Sequence, residues 1–175
     1  QYNQRCGAMT VEYDEREQTL PQLAVYAERN DRAVREETWR LAADRRLEDR
    51  EAFDDLFEQQ LQLRQQVAEN AGFEDFRVYI WQDKHLFDYT PQDCFVFADA
   101  VDEVVVPAIE QLDRERMQAM GLNALRPWDL SVDPRGRPAL EPFDPADVEQ
   151  LVADTRQLFE RLSPVLAEQF RQLKM

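Results

Sequence analysis

A mainly α fold is predicted by three observations. An apolar repeat at helical spacing runs from Asp31 to Ala71 without a proline or glycine, and cap-then-proline signals open later segments. Strand-like alternation is confined to residues 1–20. Together they describe a multi-helix, bundle-like segment with a small N-terminal β-hairpin and a proline-rich loop or hairpin over residues 126–143.

In chain order, Met9-Thr-Val-Glu-Tyr13 alternates apolar and polar side chains and Gln18-Thr-Leu20 follows Asp14-Glu-Arg-Glu17, the pattern of a hairpin or ribbon. Pro21 opens a short helix carrying Leu23, Val25 and Tyr26 and stopping near Asn30. Val34, Trp39, Leu41, Phe53, Leu56, Phe57, Leu61, Val67 and Ala68 then define one very long helix, or two with a break between Asp44 and Asp49, ending at Gly72. Phe73 to Trp81 is aromatic and mixed in period, a short helix running into a loop through Asp83-Lys84-His85. Thr90-Pro91-Gln92-Asp93 supplies a hydroxyl cap, a proline at the first helical position and an acid at the third. That helix should run to Met120 and stop at Gly121, kinked at Pro107, which cannot donate to the carbonyl of Glu103. Asp144-Pro145-Ala146-Asp147 and Ser163-Pro164 repeat the start signal and predict helices from Pro145 to Leu162 and from Pro164 onward.

Between them lie five prolines from Pro127 to Pro145, with a turn at Val132-Asp-Pro-Arg-Gly136. The chain thus reads as a ribbon (1–20), long helices (21–125), a proline-rich connector (126–143) and a helical pair (144–175), either one helical domain or a fragment of a larger protein. Gln1 in place of an initiator methionine, and an apolar final segment (Val165, Leu166, Phe170, Leu173) without a cap, are the expected marks of a fragment.

Thirty-six acidic against 21 basic residues give a net charge of −15, which repels phosphate backbones and argues against nucleic acid as a partner. With 43% apolar residues and ten phenylalanines the chain is globular rather than a disordered acidic tail. Its longest clean apolar stretch, Val104-Val105-Val106, is far short of the roughly 20 residues that cross a bilayer, so no membrane association is expected. No signal-peptide pattern opens the sequence, and the two cysteines, Cys6 and Cys94, read as buried free thiols, so a cytoplasmic location is expected.

Histidine is the commonest metal ligand and general base near neutral pH, and only one, His85, occurs. No His-Glu-x-x-His zinc motif can be written, and Gln82-Asp83-Lys84-His85 lacks the Glu-x-x-His spacing of di-iron bundles. Neither a catalytic nor a metal-binding residue is therefore assigned, and His85 reads as a structural or solvent-facing loop residue. The pairs Glu36/Arg40 and Glu110/Arg114 are modest helix supports. Asp99 and Glu103 share a face at i, i+4, but two carboxylates alone make a poor metal site. The four glycines are too dispersed for a phosphate-cradling loop, and the aromatic stretch from Phe73 to Trp81 reads as core. Arg126-Pro127-Trp128-Asp129-Leu130 gathers a guanidinium, an indole and a carboxylate, where an Arg–Asp pair could orient a peptide or staple two helices; the staple is the preferred reading.

Gly7-Ala-Met-Thr-Val-Glu-Tyr13, Thr19-Leu-Pro-Gln-Leu23, Asp31-Arg32, Ala71-Gly-Phe73, Phe87-Asp-Tyr-Thr-Pro91 with Cys94, Val105-Val-Pro107 and Leu125-Arg-Pro-Trp-Asp-Leu130 resemble, in order and spacing, the middle of oligoendopeptidase F. These enzymes belong to the thimet-oligopeptidase-like zinc metallopeptidases, and the resemblance covers nearly the whole chain. It implies an almost all-α fold whose two lobes enclose a channel admitting short peptides. It also implies a zinc in the full-length enzyme, held by two histidines of His-Glu-x-x-His and a later glutamate, with the glutamate inside the motif activating a zinc-bound water. That motif lies downstream in relatives, so none of those residues maps onto this chain, which carries no cofactor of its own. Two positions depart from the pattern: Glu15 stands where relatives tend to have a turn glycine, which puts the tight hairpin in question, and Leu86 where they have a basic residue.

The resulting expectation is a helical segment of an oligoendopeptidase F-like enzyme, inactive alone, with the remainder of the peptidase and short unstructured peptides as partners. Arg126, Trp128, Asp129, His85 and Tyr89 are its candidate channel-lining or structural residues. Apolar faces made to meet other segments would let the isolated chain self-associate. The alternative is a stand-alone helical interaction or scaffold module, or a peptide-binding module without catalysis.

Overall fold

The computed structural model describes residues 1–140 and 147–173. The chain divides into two compact units, residues 1–138 and 139–175, and the described residues are mainly helical with one antiparallel two-stranded hairpin. In the first unit a short helix α1 (Tyr2–Gly7), which the sequence pattern does not signal, precedes strands β1 (Thr10–Tyr13) and β2 (Arg16–Thr19). Thr10 pairs with Thr19 and Tyr13 with Arg16, leaving Asp14 and Glu15 as a two-residue turn. Both take left-handed backbone, φ 54° and 58°, so the tight hairpin forms without the glycine the family pattern suggests. Gln18 is buried beneath it, donating from Nε2 to the Tyr13 carbonyl at 2.9 Å.

Thr19 caps the next helix, α2 (Leu20–Leu23), through a capping box with Gln22, and a 3-10 turn (Ala24–Glu28) leads to α3 (Arg32–Glu48). Asp31 caps α3, accepting from the backbone N–H of Ala33 at 2.9 Å. The apolar stripe does break, at Asp49, and α4 (Arg50–Asn70) follows, with Arg45 tied to Asp49 at 2.7 Å. Next come α5 (Phe76–Asp83), α6 (Pro91–Ala100) and α7 (Val106–Ala119). The expected core between Phe73 and Trp81 is only half-buried, with Val78 exposed.

One motif closes α4, α5 and α7. The N–H of Phe73 bonds the Ala68 carbonyl at 2.9 Å, that of Leu86 bonds Trp81 at 3.0 Å, and that of Leu122 bonds Met117 at 3.0 Å. In each, the preceding residue takes left-handed backbone: Gly72 at φ 79°, His85 at 53° and Gly121 at 64°. His85 therefore occupies a position where the other two helices use glycine.

The long helix containing Pro107 changes pitch where a kink is expected. Val101–Val105 forms one π turn, with the Val106 N–H reaching the Val101 carbonyl, and the wider turn accommodates the N–H that proline lacks.

The second unit is a helical pair, α8 (Val148–Leu162) and α9 (Pro164–Gln172), closed by Phe159 against Phe170 with ring centroids 5.1 Å apart. The expected start at Pro145 falls outside the described residues; α8 begins at Val148, with Asp147 capping it through the Gln150 N–H at 2.8 Å. No described helix is long and apolar enough to cross a membrane.

Candidate functional site

The densest polar cluster in the described residues is built on the Arg126-Pro127-Trp128-Asp129 element. Pro127–Asp129 forms one 3-10 turn, which aims the Asp129 carboxylate inward. That carboxylate is fully buried and accepts from Arg32 Nε at 2.9 Å, Arg32 Nη2 at 2.8 Å, Arg35 Nη2 at 3.2 Å and the Arg126 backbone N–H at 3.0 Å. The expected Arg126–Asp129 side-chain pair is replaced: Arg126 gives only its backbone N–H, and the guanidinium partners come from α3, almost a hundred positions earlier. The Arg32 hydrogen bonds hold the Asp129 carboxyl below its ordinary range against the opposing effect of burial, with the Arg126 N–H and Arg35 adding to the effect.

Arg35 is itself buried, and its remaining donors meet the carbonyls of Trp128 at 2.8 Å, Arg29 at 2.8 Å and Asn30 at 3.0 Å. Arg116 of α7 closes the cluster from the other side, donating to the Asp129 carbonyl at 3.1 Å and the Val132 carbonyl at 2.8 Å. The Trp128 indole lies beneath Arg40 at 4.9 Å and Arg32 at 5.8 Å and against Trp39 at 5.5 Å. Its Nε1 is sealed from solvent without a hydrogen-bond partner among the described residues. With every oxygen of Asp129 engaged, this arrangement joins α3, α7 and the proline-rich loop and offers no free carboxylate to a ligand.

Sequence reasoning missed Arg35 and Arg116 altogether; it placed Arg32 only in the family pattern and Arg40 only as the partner of Glu36, an ion pair that does form at 2.8 Å. The available signal was the spacing Arg32, Arg35, Trp39 at i, i+3 and i+7, a basic and aromatic stripe on one face of α3.

The other candidates lie outside the cluster. Tyr89 is exposed, stacks edge-on against Trp81 at 5.3 Å, and accepts from Trp81 Nε1 through its carbonyl at 3.1 Å. His85 is exposed, with Phe87 as its aromatic neighbour at 5.8 Å. Cys94 is exposed and Cys6 half-buried, so neither is the fully buried thiol expected. Among the described residues no three His, Cys, Asp or Glu side chains converge as metal ligands. A zinc needs three such protein ligands in a catalytic site, and the donor set of these residues does not fit one.

A sequence profile of peptidase family M3 matches residues 25–159, more than three-quarters of the chain. The chain belongs to peptidase family M3. Among solved structures it is similar to a protein assigned as oligoendopeptidase F, at 24% identity and a TM-score of 0.85, covering 97% of this chain and 30% of that one. It is also similar to a protein assigned as oligoendopeptidase F from Bacillus anthracis str. Ames, at 20% identity and a TM-score of 0.83, covering 97% and 31% of the two chains. PZ peptidase A with a bound inhibitor matches at 24% identity and a TM-score of 0.85, with 97% and 30% coverage. No curated protein sequence matches significantly. This M3 chain therefore has the fold of a region spanning under a third of those structures' length.

Proposed function

We propose that this chain is a scaffold segment of an M3 zinc metalloendopeptidase that hydrolyses short peptides in the cytoplasm, and that these residues alone bind no zinc and cleave no peptide. The metal and the water-activating residue then reside in the remainder of the peptidase, which is the chain's principal partner. The role of these residues is to hold helices in place against that remainder and to contribute to the wall of the peptide channel.

One observation carries this reading. The rod formed by α6, the π turn and α7 has no buried residue, yet it displays Phe95, Val96, Phe97, Val104, Ile109 and Leu112, each more than half exposed. Three consecutive apolar residues, 95–97, point in three directions around the helix. A helix apolar on all sides is the kind that sits inside a larger body. On α8 the apolar residues Val148, Leu151, Leu158 and Leu162 form a single exposed stripe.

The test compares zinc content and cleavage of internally quenched peptides for purified residues 1–175 and for the polypeptide that carries this sequence in its source cells. The expected result is zinc-dependent turnover in the second only. Zinc-dependent cleavage by residues 1–175 overturns the proposal, and a native polypeptide without His-Glu-x-x-His supports a helical binding module instead.

A further inference from the structure

A small cavity of about 170 Å³ opens between α2, the 3-10 turn after it, α3 and the Trp128 loop, entirely within the first unit. Its size follows from three alanines, Ala24, Ala27 and Ala42, which let the backbones approach and leave the space unfilled. Trp39 and Trp128 both line it. Trp39 remains 40% exposed, an indole left half uncovered beside an apolar space. A cavity of roughly 150 Å³ lined by apolar side chains is enough to hold a benzene ring, so this one accommodates a single aromatic ring and little more.

Two guanidinium groups also line the cavity. That of Arg35 is engaged at all three nitrogens, by the carbonyls of Trp128, Arg29 and Asn30 and by Asp129. Arg46 differs: it is exposed and makes no ion pair among the described residues, whereas the adjacent Arg45 is held by Asp49 at 2.7 Å and Glu48 at 3.4 Å. An unpaired planar cation at the side of a ring-sized apolar space, with two indoles in its lining, is complementary to a ring bearing a carboxylate.

We propose that this cavity binds an aromatic carboxylic acid, its ring beside Trp39 and Trp128 and its carboxylate on Arg46. The same chemistry is offered by a free aryl acid and by a peptide ending in phenylalanine. The inference is independent of the proposed peptidase role, because the cavity lies within the first unit and binding needs no metal.

The test titrates the chain with phenylacetate, with its neutral counterpart phenylacetamide and with Ala-Ala-Phe, following tryptophan fluorescence and heat. Saturable binding of phenylacetate is expected, with phenylacetamide weaker by about fivefold, the value of one partly exposed charge-assisted contact. Arg46→Gln should bring phenylacetate down to the level of phenylacetamide. Ala42→Leu, which fills the cavity, should abolish binding of both, and Ala27→Leu fills it from a different element should the first variant not fold. Binding of Ala-Ala-Phe assigns the site to a peptide C-terminus, and its exclusion assigns it to a free acid. The proposal is overturned by no saturable binding of phenylacetate, by equal affinity for acid and amide, or by binding that survives both filling substitutions in folded protein.

Discussion

Replacing Asp129 by Asn tests whether the Arg-Pro-Trp-Asp element is a staple. If the Asn carbonyl keeps the place of the oxygen that meets Arg32 Nε and Arg35 Nη2, its NH2 group faces two donors, Arg32 Nη2 and the Arg126 N–H, that now hold a carboxylate oxygen at 2.8 and 3.0 Å. Arg32 is 41% exposed at its side chain and recovers hydration, so its loss is about 1 kcal/mol. Arg35 is 2% exposed and keeps only carbonyl acceptors after losing its countercharge, about 2 kcal/mol, and the stranded Arg126 N–H adds about 1 kcal/mol. The total, about 4 kcal/mol, lies in the range for breaking a buried pair from one side and corresponds to a drop of about 8–16 °C in Tm. All three tryptophans, Trp39, Trp81 and Trp128, belong to the first unit, so denaturant unfolding followed by tryptophan fluorescence reads that unit alone. Asp129→Leu combined with Arg35→Met removes both buried charges, and the pair should cost well under the sum of the two single changes. A loss below about 1 kcal/mol for Asp129→Asn at unchanged m-value would refute the staple, because it would mean that the carboxylate charge is not what these donors require.

Acid should act through the same carboxyl. Its folded-state pKa is depressed, so its contribution is present in full above the unfolded value near 4 and is lost as pH falls through the lower folded value; stability of the first unit should drop below about pH 4, with a shallower slope in Asp129→Asn. His85→Gly should leave the first unit as stable or raise its stability by up to about 1 kcal/mol in urea unfolding, since the residue holds left-handed backbone at φ 53° in a motif that Gly72 and Gly121 serve elsewhere. Asn-Gly in place of Asp14-Glu15 should stabilise the hairpin by about 1 kcal/mol, seen as slower amide exchange of the β1–β2 ladder. Thr90→Ala should remove the acceptor of the Asp93 N–H and cost about 1 kcal/mol of local stability, read as faster exchange at the first turn of α6.

Helix starts and stops were legible because they are local. Thr19 with Gln22 and Thr90 with Asp93 each satisfy helix-end donors within four residues, and Gly72 and Gly121 supply backbone that other residues adopt at a cost. His85 reads as a loop residue for the same local reasons, but its role in closing α5 is hidden because histidine is an uncommon tenant of the glycine position. The pitch change before Pro107 was half legible: the missing N–H is written in the sequence, but whether the helix answers by bending or by widening one turn is decided by the backbone around Val101–Val105.

The partners of Asp129 were not legible, and the reason is physical. Arg126 stands three residues away, but the turn from Pro127 to Asp129 brings the carboxylate back onto the Arg126 backbone N–H and directs its remaining capacity toward α3. A buried carboxylate needs more countercharge and more donors than one short segment supplies, so the segment that completes it must come from elsewhere in the chain. The apolar α6–α7 rod poses the same question one level up. Its caps and its turn are satisfied locally, but Phe95, Val96 and Phe97 can be covered only by surfaces on more than one side. What the rod needs is apolar area rather than hydrogen bonds, and area carries no register, so its partners are named by no residue in this sequence.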